Sequence, residues 1–278
     1  MISKNAIIES NDIQIGKNVV IGDNVEIRCP EKIHIGDNSV LTKDIKINCT
    51  SFEAGEYLFM CERVEIGRGG CYGPNSRVKI GKHVGIFEGT VINPSEEVEI
   101  GDDTGIGGDV MIWTHGAWLD VLQGFPADFG PVKIGSNVWL PARSVVLPHV
   151  IIGDNVVIGI NSIINRSLPD GCFAAGSPCK VIKENVYPKE LTQDEKTNII
   201  EDIIKDWLKL CEMKKITRTI KVRYESEKVF LNQSYNETIY NIEERKIQGY
   251  MNNVAEDLRD YLRRRGIKIY TGELFRSI

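Results

Sequence analysis

Aliphatic residues that return at every sixth position leave a chain few folds to choose from, and Ile134, Leu140, Val146, Ile152, Ile158 and Ile164 do so without a break. An α-helix buries residues with a period of 3.6 and a strand with a period of two, and neither puts glycine directly behind several of the buried positions. A parallel β-helix does. Each six-residue unit is then a short strand plus a corner, three units close a triangular coil, and the beat residue points inward. Gly135, Gly153 and Gly159 follow the inward aliphatic; Ser136-Asn137 and Asp154-Asn155 supply residues that tolerate a tight or left-handed corner. Coils stack about 4.8 Å apart, each burying the aliphatic of the one below, so such units are stable only as arrays.

The beat starts near the N-terminus with Ile15-Gly16, Ile21-Gly22 and Ile27, and resumes at Ile35-Gly36 after a step of eight. The same rhythm returns over Ile80, Ile86, Ile92 and Ile100, so one edge of the prism bulges. Between Ile47 and Ile66 the glycine punctuation is lost, which predicts an irregular coil or a small excursion over 48–65. After Ile112 the beat stops until Ile134. The intervening 113–131, with Trp113, His115, Trp118, Phe125 and Phe129, reads as a loop thrown out from the prism. Long loops on rigid scaffolds commonly carry function.

From Asn185 the periodicity changes. Thr192-Gln-Asp-Glu195 forms a capping-box pattern before a helix whose apolar face holds Ile199, Ile200, Ile203, Ile204, Trp207, Leu208 and Leu210. The runs 217–225 and 228–232 alternate as strands, 253–265 forms a second helix with Gly266 as its C′ residue, and 267–271 reads as a last strand. The fold class expected is therefore mainly β: a parallel β-helix over 1–184 with 113–131 looped out, then a small α+β domain over 185–278.

A net charge of −5 argues against a nucleic-acid groove, and the Arg263–Arg265 run shares its helix with Glu256, Asp257 and Asp260, as a solvated face would. No apolar leader region opens the chain and no window approaches the roughly 20 apolar residues that span a bilayer, so a cytoplasmic location is expected. Seven cysteines without a CxxC pair signal neither a disulfide framework nor a zinc site; most read as small buried hydrophobes.

Four histidines are present. His34, His83 and His149 fall inside the repeat or in its corners, where surface or packing roles are expected. His115 differs because it opens the excursion, where a base would face the groove between prism and loop.

The beat, the looped-out MIWTHG, and PVKIGSNVWLP followed by GDNVVIGINSIINRSLPDGCFAAGSPCKVIKE resemble the left-handed β-helix acyltransferases, specifically the galactoside, maltose and capsule O-acetyltransferase branch. The resemblance covers about residues 10–184. It implies the left hand of the helix and direct transfer of an acetyl group from acetyl-CoA to a sugar hydroxyl, without a metal, in sites between the subunits of a homotrimer. His115 matches the catalytic histidine. A sugar hydroxyl is a poor nucleophile at neutral pH, and an imidazole, with an unperturbed pKa of about 6.5, is suited to take its proton. The tetrahedral oxyanion needs N–H donors, for which the backbone at Ala142 is the candidate.

Trp139 matches the tryptophan that lines the family's cofactor groove. Ile160, Asn161, Asn165 and Arg166 fall in the segment that matches the pantetheine and phosphate path, and Lys180 and Lys183 match its basic pair at the nucleotide phosphates. The chain departs from the family at Leu140-Pro141-Ala142, where glycines are common, and at Phe87-Glu88, where an asparagine often serves the acceptor. Glu88, Asn93 and Asp109 are the acceptor-side candidates. A surface or capsular polysaccharide, or its precursor, is the expected acceptor, because smaller members lack the C-terminal domain. N-acetylation of a nucleotide-linked amino sugar and a non-catalytic β-helix scaffold are the alternatives. A γ-type carbonic anhydrase shares the fold but needs three histidines around a metal, and these four lack that pairing on adjacent coils.

Overall fold

Register builds the prism. Ile27 pairs with Ile47, Ile47 with Ile66, Ile66 with Ile92, Ile92 with Ile112, Ile112 with Val146 and Val146 with Ile164, all parallel. Every residue of that ladder is inward and at most 1% exposed. Burying one such side chain contributes roughly 1.5–3 kcal/mol, so the stack is the main source of stability.

The computed structural model describes all residues except 68, 70, 72, 217–219, 226, 234–235 and 276–278. The chain divides into two compact units, Met1–Lys189 and Glu190–Ile278. In the first, three parallel sheets form the faces. The first face includes Glu65–Ile66, Val91–Asn93, Met111–Trp113, Val145–Val146 and Ile163–Ile164; the second includes Val98–Ile100, Val132–Ile134 and Ile151–Ile152; the third includes Gly105–Ile106, Trp139–Leu140 and Val157–Ile158. The third sheet ends in an antiparallel hairpin, Phe173–Ala175 with Lys180–Lys183.

The corners give the glycines a role beyond conformational freedom. Asp37 accepts a hydrogen bond from the Lys17 backbone N–H, Asp102 from that of Lys82 and Asp154 from that of Ser136, each at 2.7 Å. A Cβ on Gly16, Gly81 or Gly135 would strike the carboxylate of the coil above. At these corners the glycine after the beat residue clears space for the next coil's aspartate. The left-handed backbone comes two residues later, at Asn18 (φ 55°), His83 (φ 61°) and Asn137 (φ 56°).

The coil expected to be irregular over 48–65 is regular. Its strands are Ser51–Ala54, Phe59–Met60 and Glu65–Ile66, and Ala54 and Met60 hold the inward positions where neighbouring coils have isoleucine or leucine. The departure from the rhythm lies in 67–76, between Ile66 and the strand Arg77–Ile80.

In the second unit, helix α1 (Gln193–Met213) starts at Thr192 with the capping box to Glu195 and buries Ile200, Ile203, Ile204, Trp207 and Cys211. A four-stranded antiparallel sheet follows, Ile220–Glu225, Lys228–Gln233, Asn236–Asn241 and Lys246–Gly249. Residues 217–219, the start of the first expected strand, lie outside the described residues, and the last two strands were not expected from the sequence. Helix α2 (Asn253–Arg263) is capped by Asn252, and its C-cap is Arg264, so Gly266 (φ 80°) sits one residue past the C′ position expected for it. Arg263 and Arg264 both pair with Asp260, at 2.7 and 2.6 Å. The buried Asp257 accepts from Trp207 Nε1 at 2.9 Å and pairs with Lys214 at 3.0 Å.

The strand expected over 267–271 does not form. Ile269 is buried, but the fully buried Arg259 guanidinium donates to the carbonyls of Ile269, Glu273 and Leu274. Those acceptors are satisfied by a side chain instead of a neighbouring strand. No helix among the described residues is long and apolar enough to cross a membrane.

Candidate active site

The chain leaves the first face at Trp113 and Thr114 anchors its departure. Thr114 is fully buried; its hydroxyl donates to the Asn93 carbonyl at 2.7 Å and accepts from the Glu96 N–H at 2.9 Å, and its own carbonyl accepts from the Gly130 N–H at 2.9 Å. Both arms of the loop are therefore tied at its neck. Just beyond, His115–Gly116 pairs antiparallel with Asp128–Phe129, so His115 stands opposite Phe129. The two rings stack, with centroids 5.5 Å apart and planes 19° apart, and Trp113 meets the imidazole edge-on at 6.0 Å. The returning arm has a second anchor, Asp128 paired to His149 at 2.8 Å.

The half-buried His115 turns Nδ1 toward the coil below. Asn93 Oδ1 lies 2.9 Å from Nδ1 and Ser95 Oγ lies 3.0 Å from it. The Ser95 hydroxyl donates to Asn93 Oδ1 at 3.2 Å, and Asn93 Nδ2 donates to the Gly69 carbonyl at 3.3 Å. The Cys71 thiol is 3.5 Å from Asn93 Oδ1, and burial pushes its pKa up. Asn93, expected on the acceptor side, is fully buried and turned to His115 instead. The partners Ser95 and Cys71 carried no signal in the sequence.

The other residues named from the sequence fall on two different edges. Asn165 and Arg166 follow the first-face strand Ile163–Ile164, on the edge that His115 occupies, and both are exposed. Ala142, Ile160 and Asn161 precede first-face strands, at the opposite edge, together with Glu88 and Asp109. Ala142 is half-buried; Glu88, Asp109, Ile160 and Asn161 are exposed, and Ile160 is 69% so. Glu88 also borders a groove of about 650 Å³ with Asp23, Lys43, Cys61 and Glu62. Trp139, on the third face, lies across Gly105, where a Cβ would come within 2.7 Å of the indole. Lys180 and Lys183 are exposed on the terminal hairpin. Among the described residues, no three His, Cys, Asp or Glu side chains gather to hold a metal ion.

Two family models match: the bacterial transferase hexapeptide (six repeats) over residues 131–166, and the hexapeptide repeat of succinyl-transferase over 12–42. A Saccharomyces cerevisiae protein named as an acetyltransferase is 35% identical over 149 residues, 52% of this chain and 70% of that one. The chain belongs to the hexapeptide-repeat acyltransferase family. Within that family, Escherichia coli galactoside O-acetyltransferase is 50% identical over 54 residues, 19% of this chain and 27% of its own length. The match to a staphylococcal relative likewise spans 36% of that protein's length. Among solved structures, the UDP-N-acetylglucosamine O-acyltransferase of Moraxella catarrhalis aligns with a TM-score of 0.52 at 18% identity, covering 76% of this chain and 91% of that one. That likeness shows the fold of this hexapeptide-repeat protein, a left-handed parallel β-helix.

Proposed function

We propose that this protein is an acetyl-CoA-dependent O-acetyltransferase that moves an acetyl group to a sugar hydroxyl, with His115 as general base. The observation that carries the reading is His115 itself: half-buried at a doubly anchored loop neck, its Nδ1 engaged and its ring clasped by Phe129 and Trp113. A base held in one orientation is what proton removal from a weak nucleophile requires. The names of the yeast and Escherichia coli relatives support acetyl transfer, and the latter supports a sugar oxygen as acceptor.

In this reading the hydroxyl oxygen attacks the thioester carbonyl as its proton passes to His115. The oxyanion is met by the backbone N–H at Ala142, and collapse breaks the C–S bond, with the proton returned to the CoA sulfur. Trp139, Ile160, Asn161, Asn165 and Arg166 lie along the cofactor, with Lys180 and Lys183 at its phosphates. Glu88 and Asp109 face the acceptor, which is a surface or capsular polysaccharide or its precursor. His115 and Ala142 occupy opposite edges of one face, so the working site forms between two copies of a homotrimer, the 1–184 domain supplying both edges.

The test is transfer from acetyl-CoA to a panel of glycans, followed by mass spectrometry. The expected product is an ester lost on mild base treatment; a base-stable amide would replace O-transfer by N-transfer. Removing a positioned general base costs about 10²–10⁴ in rate, and a His115→Ala enzyme at full rate would overturn the mechanism.

A further inference from the structure

Among the described residues, no carboxylate bonds His115 at its Nδ1. The groups in reach there are an amide oxygen and a hydroxyl, and behind them stands a buried thiol. We infer that Asn93, Ser95 and Cys71 form an uncharged positioning relay that holds neutral His115 as the Nδ1–H tautomer and leaves the lone pair on Nε2. This deepens the proposed function, since it says which nitrogen acts as base and what sets it.

The direction of each hydrogen bond fixes the tautomer. The Asn93 amide is oriented by Nδ2 donating to the Gly69 carbonyl, which aims Oδ1 at the imidazole. An amide oxygen only accepts. The Ser95 hydroxyl lies 3.2 Å from the same Oδ1 and 3.0 Å from Nδ1, so with its proton turned to Oδ1 it offers Nδ1 a lone pair as well. Facing an oxygen that can only accept, at 2.9 Å, Nδ1 is the nitrogen that carries the hydrogen. The Cys71 thiol lies within reach of both Asn93 Oδ1 and the Gly69 carbonyl, at 3.5 and 3.2 Å, and ties together the two groups that orient the amide. Asn93 and Cys71 are at most 1% exposed and Ser95 is 9% exposed, so their side chains meet each other and not bulk water.

The relay's neutrality has a chemical consequence. A carboxylate at Nδ1 would favour the imidazolium and so keep the base protonated to higher pH. An amide and a hydroxyl orient the ring without adding that charge. The titratable groups on the neighbouring elements do not supply the charge at Nδ1: Cys71 is a buried thiol, Asp128 on the paired strand is bound to His149, and Glu96 follows Ser95 in the chain.

The experiment is nitrogen-15 NMR of histidine-labelled full-length protein, with the His115 signals assigned by their loss in His115→Ala, alongside pH–rate profiles. In the wild type the neutral ring is expected to show protonated Nδ1 and unprotonated Nε2. Asn93→Asp should move the His115 titration, and the acid limb of the rate, up by about one unit or more. Ser95→Ala should keep the tautomer and lower kcat about fivefold, the size of one net hydrogen bond, with KM unchanged. Cys71→Ala should mix the tautomers, and Cys71→Ser should restore them. A wild-type ring protonated at Nε2, or an Asn93→Asp titration at the wild-type position, overturns the relay. If Asn93→Asp does not fold, the wild-type tautomer and the Cys71 pair still decide. The NMR readouts need no substrate: a protein with the expected tautomer but no acetyl transfer would refute the proposed function and leave the relay standing.

Discussion

If the site forms between copies, two dead variants should make a live enzyme. His115 follows a first-face strand and Ala142 precedes one; the face is crossed in five residues of one coil, from Ala142 to Leu147, or about 16 Å at about 3.3 Å per residue. A general base must come within about 3.2 Å of the proton it takes, and an oxyanion donor within about 3.1 Å of the oxygen it stabilises. One reacting carbonyl therefore cannot meet both groups of a single chain, but it can meet His115 of one copy and Ala142 of the next. The perturbation is to pair His115→Ala, which removes the base, with Ala142→Glu, which puts a carboxylate beside the developing oxyanion. Each variant alone is expected to be inactive. Co-expressed in equal amounts and mixing at random in a closed ring, about one quarter of the sites take His115 from an Ala142→Glu copy and Ala142 from a His115→Ala copy, and so have both edges intact. The assay is CoA release by the purified mixture, with light scattering to establish the oligomer and separately purified, unmixed proteins as controls. Recovery to about a quarter of wild-type rate supports the shared site. No recovery in stable mixed oligomers would refute it, because a site held within one chain always contains one of the two lesions.

Ile106 is fully buried between Ile86 and Leu140 of adjoining coils, so Ile106→Ala should cost about 2–5 kcal/mol in urea unfolding. A loss well under 1 kcal/mol would mean the stack can collapse around the gap. Gly105→Ala should push the Trp139 indole off the third face, since the new Cβ falls 2.7 Å from it, and weaken CoA binding severalfold in calorimetry; unchanged affinity would remove Trp139 from the cofactor groove. His149→Ala deletes an exposed pair worth less than about 1 kcal/mol, so unfolding should barely change. Hydrogen exchange over 115–130 should nonetheless rise and activity fall, and unaltered exchange there would show that Asp128 does not need this anchor.

What could be read in the chain was whatever a six-residue geometry forces locally. The inward Ile, Leu and Val residues, the His115 excursion and the Thr192 capping box are each set by neighbours a few positions away. The sequence misled where a different residue filled the same geometric role: Ala54 and Met60 keep the beat without isoleucine, so a regular coil looked broken. It was silent where partners are set by stacking. Asn93 and Cys71 are 22 and 44 residues from His115, and Asn93 comes beneath the imidazole only because Val91–Asn93 pairs with Met111–Trp113 in the next coil. The same logic explains the missing strand at 267–271. Alternation describes a segment with one buried face, and Ile269 is indeed buried, but a strand also requires a neighbour to take its carbonyls. Arg259, inside α2, takes the Ile269 carbonyl instead. A segment's own pattern can state which side is buried; its backbone's partner comes from elsewhere in the fold, and so do the Asn93 and Ser95 groups at His115 Nδ1.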